Sequence, residues 1–423
     1  MTAQSTCAMN NFIRPPPFAS ASNGDGDKAH GAVLHPQTGL LHADEFLNSV
    51  TDVAPPLHVS TNFRYAQDPA KLIAFKDLDP TGIAEHVYSR HTAPSTTRLE
   101  ALLSEYLNGY ALVYASGLAA FHAALVRLNP ARLSIGTCYH GCRGLANMHT
   151  RLTGMKQLPL DCPAEDLHPG DVIHLETPLN PIGEAWDIKH FADKAHSRGA
   201  LLMIDATFAP PPLQDPFAWG ADIVMHSASK YLGGHSDMLG GVLATRDLKL
   251  RWQLFEDRVY LGSTMGSLEA WLGVRSARTL ELRVLRQSEN ATKLVEWLSG
   301  EMARSGSAAA KVVAEVRHAS LQKEAWVKTQ MPGGFGPVFA IEMKTEELAK
   351  TLPSQLGLFT HATSLGGVES LIEWRAMSDT TVSTRLLRIS VGIENWEDLR
   401  NDLALAFKNL AAMPAKLVIN GKA

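Results

Sequence analysis

The sequence predicts an α/β fold: a largely parallel sheet covered by helices, followed by a smaller C-terminal α/β domain. Three observations lead there. Short apolar runs recur, each ending in a polar loop. Amphipathic helical patterns separate them, as at Ile188 to Arg198 between the runs at 171–176 and 200–205. A long helical stretch, roughly Leu268 to Leu298, then bridges to the C-terminal part. Strand–helix alternation of this kind builds a parallel sheet covered on both faces. The 423 residues suffice for two packed domains. We expect a tail and arm over 1–60, a ligand-binding domain over 61–285 and a C-terminal domain over 286–423.

Each element has a local reason. Met1 to about Lys28 is rich in Pro, Ser, Asn and Gly and lacks an apolar core, so it reads as a disordered extension rather than a secretory signal. Ala111 to Ala115 reads as a strand running into Ser116-Gly117-Leu118 and an Ala-rich helix to about Leu128. A Ser-Gly turn at a helix start exposes backbone N–H groups and suits an anion. Asp171 to Glu176 is a second strand, ending in the loop Thr177 to Pro181; Ala200 to Asp205 is a third, ending in one carboxylate. Ala221 to Met225 and Gly240 to Thr245 are strands flanking His226-Ser227-Ala228-Ser229-Lys230. Farther on, Gly336 to Met343 and Leu386 to Val391 read as strands and Trp396 to Leu410 as a helix. No internal repeat is visible.

Lys230 is the most informative residue. A lysine at a strand end, among small hydroxyls and glycines, suits covalent aldehyde chemistry, because burial lowers its pKa toward Schiff-base formation. Ser227 and Ser229 suit a phosphate, and nearby glycines let backbone approach a ligand. Asp205 suits the pyridinium nitrogen of such a cofactor, since a protonated ring is the stronger electron sink. The plain alternatives are a solvated lysine and an aspartate that caps a turn. Ligands in such sheets gather at the carboxyl ends of strands, where Asp205 and Lys230 fall. Together these features point to pyridoxal 5'-phosphate.

The order and spacing of seven segments then resemble a known family. They are Ala115 to Ala120, Tyr139 to Cys142, Glu176 to Pro181, Asp205 to Pro210, Ser227 to Lys230, Ser364 to Ser370 and Leu387 to Asp398. The chain resembles the Cys/Met-metabolism enzymes, the cystathionine γ-synthase-like transsulfuration proteins, over roughly residues 50 to 410. The resemblance implies fold type I with a seven-stranded-type sheet, pyridoxal 5'-phosphate, and cytoplasmic amino-acid metabolism. It also implies a homotetramer, a dimer of dimers, whose sites are shared between subunits. It implies that Lys230 carries the cofactor and shuttles protons, that Asp205 holds the pyridine nitrogen and that Tyr139 stacks on the ring. Ser116, Gly117, Leu118, Ser227 and Ser229 would cradle the phosphate, and Tyr88 and Arg90 would reach the phosphate of a neighbouring subunit. Asn180 would sit near the phenolic oxygen, and Arg388 would clamp the substrate carboxylate, a job suited to its fork.

Departures from the family pattern bear on substrate. Ala93-Pro94-Ser95, Ala206, Ser229 and Tyr139-His140-Gly141-Cys142 differ from its common forms without removing a core catalytic group. Thr363, before Ser364-Leu365-Gly366-Gly367, stands where cystathionine-handling members often carry an acid, which weakens the case for cysteine as co-substrate. Gly141, where methionine γ-lyases carry cysteine, weakens that reading too. Cys142 reads as a packed thiol, His226 and His235 as structural groups, and His140 as the better specificity candidate.

Composition excludes other classes. The net charge is −4 and no basic cluster favours nucleic acid. No apolar run approaches the length of a membrane helix. Cysteines at 7, 138, 142 and 162 form no CxxC pair or metal spacing and read as reduced thiols. The expected activity is γ-replacement on an O-acyl-L-homoserine by a sulfur or stabilised carbon nucleophile, with Thr363, Ser364, Tyr139 and Arg388 at the substrate. The alternatives are a cystathionine γ-synthase proper, a C–S lyase acting on cystathionine or methionine, and a non-catalytic regulatory protein on the same fold.

Overall fold

The computed structural model describes residues 35–74, 77 and 86–413; the extension expected over 1–28 lies outside them. Among the described residues, twelve strands run in chain order: β1 (Tyr110–Tyr114), β2 (Arg132–Ile135), β3 (Lys156–Leu158), β4 (Val172–Glu176), β5 (Leu201–Asp205), β6 (Ile223–Ser227), β7 (Gly241–Thr245), β8 (Val313–Arg317), β9 (Val338–Met343), β10 (Thr360–His361), β11 (Leu371–Trp374) and β12 (Leu386–Ser390). The larger, seven-stranded sheet has the order β1-β7-β6-β5-β4-β2-β3, and the smaller one β10-β11-β12-β9-β8. The fold is thus the α/β arrangement expected, with a large sheet and a second, smaller one. Pairs β2–β3, β2–β4 and β4–β5 are parallel. Strand β7 runs antiparallel to both β1 and β6.

The described residues divide into two compact units. By outer bounds, one comprises Met1–Ala131, Asp222–Gly233 and Met238–Thr279; the other comprises Arg132–Ala221, Gly234–Asp237 and Leu280–Ala423. In the first, helix Gly117–Leu128 starts where the Ser116 hydroxyl accepts from Ala119 N at 3.0 Å, and it ends at Asn129 in the left-handed conformation. Buried Glu100 accepts from Val113 N and from Arg258, tying helix Pro94–Tyr106 to β1 and to helix Leu248–Leu261.

In the second unit, β4 is buried along its whole length, as a central parallel strand must be. Helix Ile188–His196 begins where Asp187 accepts from His190 N, and it buries Ile188, Phe191, Ala192 and Ala195 at helical spacing. The smaller sheet packs Phe339, Ile341, Ile372, Leu387 and Ile389 into one core with Leu294, Leu298, Leu403 and Phe407. One expectation is corrected. The stretch Leu268 to Leu298 is two helices, Ser267–Ala277 and Leu280–Ala303. Neither glycine nor proline stands at Arg278-Thr279, so the break lacks the strongest stop signals in the sequence.

Gly241 fixes how close the Ser116 turn comes to β7. A Cβ there would stand 2.1 Å from the Ser116 carbonyl oxygen and 2.8 Å from Gly117 N, both backbone atoms. Gly241→Ala should therefore cost about 1–3 kcal/mol through overpacking. Gly144→Ala, where a Cβ meets nothing within 4 Å, is the control and should be neutral or stabilising. Thermal unfolding of the two variants checks this, and equal midpoints would contradict it.

Buried histidines make stability depend on pH. Burial, with Arg143 nearby, lowers the His174 pKa to about 3. The unfolded chain binds this proton near pH 6.5 and the folded chain does not, so the contribution is complete above 6.5 and is lost as pH falls toward 3. Denaturant midpoints of wild type should drop more than those of His174→Gln between neutrality and about pH 5. Parallel pH dependence in the two proteins would count against it.

Candidate active site

In the first unit, the phosphate-type residues cluster. Gly117 is the first residue of its helix, and a Cβ on it would meet Ser227 Cβ at 3.1 Å. The Ser116 turn and the end of β6 are therefore in contact, and free helix N–H groups open beside a serine hydroxyl. Ser229 Oγ accepts from Gly240 N at 3.0 Å, and Lys230 N donates to Ser227 O at 3.1 Å. Lys230 itself is half-buried in the turn after β6. Tyr88 and Arg90 are both exposed, with the Arg90 guanidinium 5.5 Å from the Tyr88 ring centroid. His226 is fully buried and held neutral, its pKa lowered to about 4 by burial, as a structural group would be.

In the second unit, register pairs Glu176 with Asp205 at the carboxyl ends of β4 and β5. Glu176 accepts from Tyr139 N and Asn180 N, each at 2.7 Å. Asp205 Oδ1 accepts from Thr207 N at 3.0 Å and from the Thr207 hydroxyl. Burial raises both carboxyl pKa values, and each is buried to within a few per cent. Tyr139 caps helix His140–Thr153 with its ring 4.4 Å from that of His140. Burial raises the Cys142 thiol well above its ordinary value, so Cys142 is a packed thiol. Arg388 lies in the middle of the smaller sheet. It donates to Asn180 Oδ1 and to Ser364 O, each at 2.9 Å, and to Glu373. Ser364 holds φ 83°, a strained setting for a serine that turns its carbonyl to Arg388. Thr363 is exposed.

Of the residues expected at the site, the structure brings together Ser116, Gly117 and Ser227 in one unit, and Tyr139, Asn180, Asp205, Ser364 and Arg388 in the other. Lys230 and Asp205 belong to different units. Sequence reasoning missed Glu373 and Arg375, whose charges sit in a run that reads as surface. It also left Glu176 as a mere strand end, although its spacing to Tyr139 and Asn180 makes it the hydrogen-bond hub.

These residues fit pyridoxal 5'-phosphate. The cradle at Gly117 and Ser227 is one that a Cβ would fill, and its donors suit a phosphate dianion. Asp205 is buried, which opposes its charge, and accepts from Thr207; a protonated ring nitrogen is a partner that would favour the carboxylate. No cluster among the described residues has the make-up of a metal site, and none of the described helices is long and apolar enough to cross a membrane.

The family model for Cys/Met metabolism PLP-dependent enzymes matches residues 37–408. The chain is 33% identical to the cystathionine γ-lyase of Bacillus subtilis (strain 168), over 76% of this chain and 89% of the relative. It is 32% identical to the cystathionine γ-synthase of Mycobacterium bovis, over 89% of this chain and 98% of the relative. Cystathionine γ-synthase from Xanthomonas oryzae pv. oryzae, solved in complex with aminoacrylate and cysteine, superposes with a TM-score of 0.79 at 28% identity, covering 90% of this chain and all of that one. The family match over residues 37–408, with relatives 32–33% identical along 76–89% of the chain, shows that this protein belongs to the Cys/Met metabolism family of pyridoxal 5'-phosphate-dependent enzymes.

Proposed function

We propose that the protein replaces the γ-substituent of an O-acyl-L-homoserine. The Cγ–O bond breaks, the acyl group leaves as a carboxylate, and a sulfur or stabilised carbon nucleophile bonds to Cγ. The observation that carries this reading is the neutral, exposed Thr363 beside the Arg388–Ser364 contact, which supports a nucleophile without a distal ammonium. The Mycobacterium γ-synthase, 32% identical over 89% of the chain, is compatible with it. The C–S lyase reading draws on identities of 33–34% to cystathionine lyases, slightly above those to the synthases.

When bound, pyridoxal 5'-phosphate supplies the electron sink that makes amino-acid Cα and Cβ protons removable. The chain's own residues do the rest. Lys230 would anchor the cofactor and carry the Cα proton at its Nζ. Asp205 would hold the ring nitrogen, Tyr139 would lie beside the ring and Asn180 would stand near the phenolic oxygen. Ser116, Gly117, Leu118, Ser227 and Ser229 would hold the phosphate, joined by Tyr88 and Arg90 from a neighbouring subunit. Arg388 fixes the α-carboxylate beside Ser364 and Thr363, which orients the Cα–H bond. The active unit is then at least a dimer, as a dimer of dimers, working in the cytoplasm.

Lys230→Ala should abolish turnover, since one change removes anchor and proton carrier. Arg90→Ala should also be inactive. Mixing the two should restore part of the activity, because hybrid dimers hold one intact site. Steady-state rates with sedimentation decide it; a fully active monomer, or no recovery on mixing, contradicts the shared site.

Nucleophile choice tests the reaction. With O-acetylhomoserine, sulfide and an acetoacetate-type carbon acid should outpace cysteine, with products read by mass. Thr363 is exposed, so a carboxylate there works against solvent and Thr363→Glu should favour cysteine by no more than about fivefold. If cysteine is the best wild-type nucleophile by a wide margin, the housekeeping cystathionine synthase reading replaces this one. Release of a 2-oxo acid and ammonia alone would establish a lyase.

A further inference from the structure

Register places Glu373 on β11 directly opposite Arg388 on β12. Glu373 Oε2 accepts from Arg388 Nη2 and, at 2.8 Å, from Nη1 of a second arginine, Arg375. Its Oε1 accepts from the Ser378 hydroxyl at 2.7 Å. Arg375 is 2% exposed, and Glu373 and Arg388 are each 4% exposed. Asp379 stands 3.6 Å from Arg375 Nη2, outside hydrogen-bond range, and its Oδ1 is taken by Thr381. Glu373 therefore bridges the two guanidiniums through one carboxylate oxygen.

Charge balance decides what this arrangement does. A guanidinium paired one-to-one with a buried carboxylate attracts a second carboxylate poorly, because the resident anion already cancels its charge. Here two guanidiniums share the Glu373 carboxylate, and Asp379, 3.6 Å from Arg375 and outside hydrogen-bond range, offsets only part of the second charge. Because both guanidiniums bond the same Glu373 oxygen, Arg375 stands beside Arg388 in the same cluster. Packing does not account for Arg375, since its Nε is buried without a hydrogen-bond partner among the described residues, which costs stability.

We propose that Arg375 is a positioning residue for substrate recognition: it takes up the charge of Glu373, so that Glu373 aims Arg388 without quenching its attraction for the α-carboxylate. This rests on the reading of Arg388 as the carboxylate clamp. Holoenzyme titrated with L-norvaline and with L-norvalinamide, followed by cofactor absorbance, separates the two, because the ligands differ only in the carboxylate. Arg375→Gln should weaken norvaline binding about tenfold and leave the amide unchanged, and adding Glu373→Gln should bring norvaline back to within about twofold of wild type. Equal weakening of both ligands, or of neither, overturns the proposal. Should Arg375→Gln fail to fold, the double variant carries the test, and a selective loss of norvaline there overturns it. Arg388→Gln must itself erase the preference for the carboxylate. If it does not, the clamp reading fails; if it does while Arg375→Gln keeps the preference, only the role of Arg375 fails.

Discussion

Two carboxyl groups side by side at the ends of parallel strands are the constraint on which the second unit is organised. Glu176 and Asp205 are register partners, both buried, and burial opposes charge on each. Such a pair persists only if its oxygens are well supplied with donors. The supply comes from specific places. Tyr139 N, at the start of a helix, and Asn180 N, in the loop after β4, both reach Glu176. Thr207 gives both its backbone and hydroxyl donors to Asp205. Satisfying the acids thus fixes the entry of one helix, the course of one loop and the turn after β5. Asn180 then passes the constraint on, since its side-chain oxygen receives Arg388 from the smaller sheet.

Much of this was legible in sequence, for physical reasons. Strands β4, β5 and β6 are near-continuous apolar runs that stop at a polar residue, so pattern and chemistry coincide at Glu176, Asp205 and Lys230. The helix after Asp187 carries both its cap and its apolar stripe. Other elements lack the length to show a period: β3 has three residues, none fully buried, and β10 has two. The division near Thr279 carries no glycine or proline, only the weaker signals of Arg275 in one last turn and Glu281 in the next first turn. Glu373 and Arg375 were invisible for a different cause. Their meaning depends on which residue lies across the ladder, and register is not readable from one strand alone.

The same contrast explains why family membership narrows the chemistry more than the reactants. The residues assigned to the cofactor stand in backbone-held positions at strand ends and helix starts. The residues proposed to bear on nucleophile choice, His140 and Thr363, are exposed side chains. One scaffold therefore carries both synthases and lyases among its relatives.

Ser364 divides its loop into two kinds of position. From it onward the chain is fastened: Ser364 O to Arg388, Gly366 N to Ser390 Oγ, Gly367 O to Gln287 and Ser370 N to Glu394. The residue just before it, Thr363, is open to solvent. An exposed position adjoining a rigid one is where mutation is cheap to fold and consequential to chemistry. On the proposed roles, drift at 363 would retune which reactant is accepted while the Ser364–Arg388 contact stays put, so a change of chemistry need not begin with a loss of stability.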